Sequence, residues 1–257
     1  MIRTVFLDFD GTVFSHRSVS IPRSTIEALR KLRKNGIKVF FCTGRAPSEF
    51  KDFDLSELTY DGMILSNGQI VSDENDHIII KKPIEGRLKE EIVSLYTENK
   101  IPMYIITEDA LVLNHFDSVV ARIQAAVSSP IPEIRDYQGE DIYMASAFLK
   151  TKEDVEKIYA LQDLGEITWW HDGAIDIVPK GLSKANGIDE VLKYYDIDIS
   201  ETLAIGDGDN DAEMLKHCAI GIAMGNASDM TKDAADYVTD DIDEDGLANA
   251  LKHFGLI

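Results

Sequence analysis

The chain has 257 residues, enough for one large or two modest domains and for a buried core without disulfide staples. Its 46 acidic and 26 basic side chains give a net charge of −20, which repels nucleic-acid backbones and anionic lipid, so neither nucleic acid nor a membrane is expected as a partner. No apolar run approaches the roughly 18 residues of a membrane span. The first residues lack the apolar core and cleavage site of a secretory signal, and two cysteines, Cys42 and Cys218, are too few for a disulfide framework. A cytoplasmic protein with reduced thiols is expected.

In chain order, Val5-Phe6-Leu7 is a continuous apolar run, the pattern of a strand buried on both faces. Residues 22–35 follow as a helix, with Ile26, Leu29 and Leu32 on one face and Gly36 as its stop. Val39 to Cys42 and Met63 to Leu65 read as two more buried strands, and Leu203 to Ile205 and Ile220 to Ala223 as two near the other end. Apolar strands separated by helices argue for βαβ units and a parallel sheet, an α/β core.

The middle follows another pattern. Leu88, Ile92 and Leu95 form a helix face, and Met103–Thr107 and Leu111–Asn114 form a hairpin turning at Glu108-Asp109. Val119, Val120, Ile123 and Val127 predict a second helix, and Ile142–Phe148 a strand. Thr151 and Asp154 form a capping box for a helix reaching about Leu164. Asp172-Gly173 then turns a hairpin between Ile167–His171 and Ala174–Val178. Strand alternation puts one of Trp169 and Trp170 in the core. This run is a self-contained α+β unit. Residues 1–82 and 180–257 are therefore expected to form the core domain, with residues 83–179 inserted between prolines Pro83 and Pro179.

Three core strands end on polar residues: Asp8-Phe9-Asp10-Gly11-Thr12, Thr43-Gly44-Arg45, and Asp207-Gly208-Asp209-Asn210-Asp211. In open parallel sheets ligands sit beyond the carboxyl ends of the strands. If these strands are neighbours, Asp8, Asp10, Thr43 and Asp207 share one crevice. Several carboxylates in one place repel each other and call for a cation, and oxygen ligands without His or Cys suit Mg²⁺. A carboxylate can serve as a covalent nucleophile toward phosphorus. An EF-hand starting at Asp207 is excluded, because Ala212 and Cys218 stand where the loop needs Gly and Glu.

Together with Gly181-Leu182-Ser183-Lys184, these three segments resemble the four motifs of the haloacid dehalogenase superfamily, in the order and spacing of its Cof-type phosphatases. Ser66-Asn67-Gly68 and Gly221 to Ala227 are similar to further signatures of that group. The resemblance implies a Rossmann-like parallel-sheet core with an inserted α+β cap that closes over the site and selects the leaving group. It implies that Asp8 is nucleophile and Mg²⁺ ligand. Asp10 would be general acid/base, with its carbonyl on the metal, and Asp207 the second carboxylate ligand. Phe9 and Gly44 through their N–H groups, and Thr43, Lys184 and Asn210, would hold the phosphate. Asp211 would orient Lys184 or the metal's water shell. Gln69 follows Gly68 where alanine is common, which bears on substrate contacts.

The expected activity is Mg²⁺-dependent hydrolysis of a small phosphorylated metabolite through an aspartyl-phosphate. Alternatives are a phosphomutase sharing that intermediate and a phosphometabolite-binding protein without turnover. Arg45 either reaches substrate or pairs with a core carboxylate, and Asn67 and Asp172 are further candidate substrate contacts. Lys180 competes with Lys184 for the phosphate, and motif register favours Lys184. His16, just after the first motif, either borders the site or is a loop histidine, and the loop reading is favoured. A monomer or weak homo-oligomer is expected, and no coiled-coil heptad appears.

Overall fold

The computed structural model describes residues 1–50, 53–126 and 131–257. The chain opens with β1 (Thr4–Asp8), α1 (Arg23–Lys34), β2 (Lys38–Cys42), β3 (Gly62–Leu65), β4 (Ile70–Asp73) and β5 (Ile78–Lys81). The middle holds α2 (Gly86–Glu98), β6 (Met103–Ile106), β7 (Leu111–Leu113), α3 (Ser118–Ala126), β8 (Glu133–Ile134), β9 (Met144–Phe148), α4 (Lys152–Tyr159), β10 (Gly165–His171) and β11 (Ala174–Pro179). It ends with α5 (Lys184–Tyr195), β12 (Thr202–Gly206), α6 (Ala212–His217), β13 (Ile220–Ala223), α7 (Asp229–Asp233), β14 (Tyr237–Val238) and α8 (Gly246–His253).

Two compact units result. One comprises Met1–Arg45, Asp52–Lys81 and Ser183–Ile257, the other Ala46–Lys51 and Lys82–Leu182. The short helical turn Pro47–Phe50 thus groups with the second unit, whereas the sequence reading put it in the core.

The first unit is an eight-stranded sheet in the order β14-β13-β12-β1-β2-β3-β4-β5. The first six strands of that order run parallel. β4 and β5 extend the sheet antiparallel, an extension the sequence reading lacked. Every residue of β1 is buried, as a central parallel strand requires. Phe6, Phe40, Cys42 and Ile64 pack with Ile188, Val191 and Leu192 of α5 and Met214 and Leu215 of α6. α1 buries Ala28, Leu29 and Leu32, and its last turn carries Lys31, Arg33 and Lys34, where the helix dipole favours cations. Asn35 and Gly36, the latter at φ +75°, end it.

The second unit is a six-stranded sheet in the order β10-β11-β9-β6-β7-β8, antiparallel except for the β7–β8 pair. One face packs Met103, Ile105, Ala145, Ala147, Ile175 and Ile177 against α2 and α4. On the other, α3 contributes Val120 and Ile123 to a cluster with Leu113, Phe148 and Ala174. Thr151 caps α4 through the reciprocal bonds of a capping box with Asp154, and α4 stops at Tyr159, short of Leu164. The Trp169 side chain is 43% exposed and donates to Tyr159 Oη at 2.9 Å, while Val127 and the Trp170 side chain lie outside the described residues. No helix among the described residues is long and apolar enough to cross a membrane.

Candidate active site

Strand register assembles the site in the first unit. Asp8 stands opposite Cys42 on β2, and Leu7 stands opposite Ile205 on β12. Thr43 and Asp207 therefore leave neighbouring strands just beyond Asp8, at the carboxyl edge of the sheet. The chain turns sharply at Gly11, whose φ is +83°. A Cβ there would collide with the Asp207 carboxylate, so the close approach of these two segments requires glycine.

At the centre lies Lys184, the first residue of α5, only 1% exposed. Its Nζ donates to Asp8 Oδ1 and Asp211 Oδ1, both at 2.5 Å. Burial opposes its charge, but the Asp211 and Asp8 carboxylates outweigh burial and hold the amine well above its usual range. Lys180, by contrast, is exposed. Asp211 is fully engaged: Oδ2 accepts the Asp207 and Gly208 N–H groups at 3.0 and 2.9 Å.

Asp8 is strained electrostatically. Burial and the Asp211 charge push its carboxyl well above the ordinary range, and Lys184 offsets this only in part. Its Oδ2 is buried and has no hydrogen-bond partner. Burial and Asp211 likewise push Asp207 up to about 6. Asp207 Oδ1 accepts from Thr12 Oγ1 at 3.0 Å, and Oδ2 from Asn226 Nδ2 at 3.1 Å.

Oxygens of Asp8, Asp207 and Asp211 lie within 4.8 Å of one another. Crowded carboxylates, an orphaned buried oxygen on Asp8 and purely hard donors fit a Mg²⁺ ion. Because Asp211 already accepts three N–H bonds, Asp8 and Asp207 are the carboxylates with capacity to hold it.

Asp10 lies past the end of β1, and Arg45 grips it with Nε to Oδ2 at 2.6 Å and Nη2 to Oδ1 at 2.7 Å. Of the two options open in the sequence, Arg45 here takes the carboxylate. Thr43 is buried, and its Oγ1 accepts the Arg45 N–H at 3.1 Å. Asn67, in a left-handed conformation after β3, donates its N–H to Thr43 O at 3.0 Å and accepts from Asn210 Nδ2 at 3.1 Å. The Asn67 side chain also borders Gly44. These four residues therefore form one polar rim. The Phe9 ring is buried against Phe14, Phe41 and Phe53, and its carbonyl accepts from Val13 and Phe14. Gln69 is buried and donates to Ser66 O in its own turn at 3.1 Å.

Asp172 belongs to the second unit. It sits exposed at the β10–β11 turn, 2.7 Å from His171 Nδ1 and 3.5 Å from Arg122 Nη1. Sequence reasoning assigned no role to three side chains that the structure ties to the carboxylates: Thr12 and Asn226, and His16, which it weighed toward a loop. Thr12 and Asn226 lie inside quoted motifs, which was the available signal.

The profile of the haloacid dehalogenase-like hydrolase family matches residues 5–251. YkrA of Bacillus subtilis, whose name assigns it provisionally to the phosphatases, is 36% identical over 99% of this chain and 98% of its own. The structure of BT1666 from Bacteroides thetaiotaomicron, described among phosphatases of the superfamily, is 33% identical with a TM-score of 0.89, covering 100% of this chain and 96% of that one. The subclass IIB sugar phosphatase BT4131 is 32% identical with a TM-score of 0.82, covering 99% of this chain and 100% of that one. A match spanning nearly the whole chain, on a fold with the same parallel core, means that this protein belongs to the haloacid dehalogenase-like hydrolase family and stands among its phosphatases.

Proposed function

We propose that the chain is a Mg²⁺-dependent phosphatase of a small phosphorylated metabolite, working through an aspartyl-phosphate on Asp8. The observation that carries this reading is the buried Asp8 carboxylate, with one oxygen on Lys184 and the other without a partner. A sugar phosphate or similar compact ester is the favoured substrate class, supported by the likeness to the sugar phosphatase BT4131.

An Asp8 oxygen attacks phosphorus and the ester P–O bond breaks, with Asp10 delivering a proton to the departing oxygen. Water then attacks the aspartyl-phosphate, Asp10 takes its proton, and phosphate leaves with Asp8 restored. Lys184 offsets charge on the transferring group, and Asp211 holds the amine in place. Thr43, Asn210 and the Phe9 and Gly44 N–H groups orient the phosphate oxygens. Asp8, Asp207 and the Asp10 carbonyl would hold Mg²⁺, which when bound would supply positive charge for the phosphoryl transfer. The inserted unit selects the leaving group.

The test is phosphate release across a panel of phosphorylated metabolites with Mg²⁺. The expected result is that a few esters are cleaved, and that both EDTA and Asp8→Asn abolish it. Binding without Asp8-dependent release would overturn the reading in favour of a sensor. Return of the phosphoryl group to the substrate would make the protein a mutase.

A further inference from the structure

The segment after Asp10 doubles back on itself. Gly11 N–H donates to Phe14 O at 2.8 Å, Phe14 N–H donates to Phe9 O at 2.7 Å, and Ser15 and Ser20 exchange backbone bonds at 2.9 and 3.2 Å. This return brings His16 alongside Asp10, with Nε2 3.1 Å from Oδ1. Although its side chain is 62% exposed, the imidazole is seated on an aromatic platform. It meets Phe14 edge-on at 5.5 Å, and Phe14 meets Phe53 edge-on at 5.1 Å. The Arg45 guanidinium lies 5.0 Å over the ring of that same Phe53. Two nitrogen-bearing side chains therefore rest on one pair of rings and converge on one carboxyl group.

Their nitrogens are unevenly placed. Oδ1 of Asp10 accepts from Arg45 Nη2 and also lies 3.1 Å from His16 Nε2, whereas Oδ2 accepts from Arg45 Nε. We propose that His16 is a positioning residue for Asp10: with Arg45 it fixes the carboxyl plane so that Oδ2 presents its remaining lone pair, and hence the proton, to the leaving-group oxygen. The proposal rests on Asp10 being the acid/base of the phosphatase reading. It gives a function to a residue that the sequence weighed toward a plain loop histidine rather than a border of the site. Orientation is worth this much structure because a misplacement of about 1 Å can cost about a hundredfold in rate.

The test exploits leaving-group chemistry. An alkyl phosphate needs its oxygen protonated as the P–O bond breaks, whereas p-nitrophenolate departs unaided. Comparing kcat/KM isolates the steps up to that departure. For His16→Ala we expect a loss of about tenfold on the best alkyl ester of the panel and less than about twofold on p-nitrophenyl phosphate, a small share of what general acid catalysis supplies. His16→Gln, which retains an N–H donor, recovers part of the loss. In an Asp10→Ala background, His16→Ala adds nothing further, because the two act as one unit. Equal losses on both esters, or additive losses in the double variant, would overturn the proposal in favour of a general structural or substrate-binding role. Unchanged kinetics on both esters would overturn it outright. Failure of the phosphatase reading looks different: wild type would release phosphate from neither ester.

Discussion

The two sheets handle polar side chains in opposite ways. In the first unit six strands run parallel, so every carboxyl end lies at one edge, and Asp8, Thr43, Asn67 and Asp207 collect there from four strand ends. In the second unit the central strands alternate in direction, and strand ends cannot gather. Its polar residues lie mid-strand instead, in one row across the sheet: Tyr104 opposite Ser146, and Ser146 opposite Asp176. Ser146 Oγ donates to Asp176, so this row is internally bonded. The parallel edge, by contrast, leaves a buried Asp8 oxygen without a partner. A bonded row rigidifies a sheet, whereas an orphaned carboxylate oxygen is kept only where it has work to do.

The comparison breaks if the orphaned oxygen proves idle. Asp8→Asn removes the nucleophile with almost no change in volume, so phosphate release should fall by at least about a thousandfold, the scale seen when a covalent nucleophile is lost. Circular dichroism and Tm should stay close to wild type, since Lys184 keeps Asp211 as its buried counter-charge and the substitution relieves the repulsion between Asp8 and Asp211. Residual turnover within an order of magnitude of wild type would remove Asp8 from the chemistry.

Lys184→Met sharpens the same contrast through stability. The substitution leaves Asp8 and Asp211 facing each other, buried and without their cation. Breaking a buried ion pair this way costs about 3–5 kcal/mol, and each kcal/mol lowers Tm by about 2–4 °C at this chain length. The loss should shrink toward pH 5, where the carboxyls take up protons. The matching change in the second unit, Ser146→Ala, removes one bond of the row and should cost about 1–2 kcal/mol at neutral pH. A pH-independent deficit for Lys184→Met would mean that packing, not charge, holds the site together.

Much of this was legible in the sequence, for identifiable reasons. Val5-Phe6-Leu7 and Leu203-Ala204-Ile205 announced central parallel strands because burial on both faces leaves no room for alternation. The polar residues after them announced the site because a parallel sheet aligns its carboxyl ends. β4 and β5 were not read, since a four-residue strand turning antiparallel carries little periodic signal. The Arg45–Asp10 pair stood as one of two options, and so did His16 at the border of the site, with its loop reading preferred. Which partner a charged side chain meets depends on how a turn folds back, and motif spacing does not encode that.

Metal and pH provide a milder test. Asp8 and Asp207 have raised carboxyl pKa values in the folded state, Asp207 reaching about 6. Unfolded carboxyls titrate near pH 3.9, so between that value and about pH 6 the folded chain binds more protons than the unfolded one. The contribution of these two carboxyls to the metal-free protein's stability should therefore fall as pH rises through this window, by about 1–3 kcal/mol, opposite to the contribution of carboxyls held low, such as Asp117 and Glu140. Mg²⁺ at a hundredfold excess over its dissociation constant should return about 2.7 kcal/mol, and more at pH 7 than at pH 5 at fixed concentration. Thermal unfolding at both pH values, with and without Mg²⁺, measures this. Equal Mg²⁺ shifts at the two would detach the ion from these carboxylates.

The smallest expected effect lies in the second unit. Asp172 is a carboxylate near a histidine and an arginine, which on paper resembles the surroundings of Asp10. The physical setting differs. Asp172 is 78% exposed, at a tight turn whose Asp-Gly sequence already accounts for its presence, whereas Asp10 is 26% exposed and gripped on both oxygens. Exposed ion pairs contribute about 0–1 kcal/mol. Asp172→Ala should therefore shift stability by less than about 0.5 kcal/mol and change kcat/KM by less than about threefold on small esters. A tenfold loss confined to one substrate class would show instead that this turn reads the leaving group, and polarity in the second unit would then serve recognition as well as rigidity.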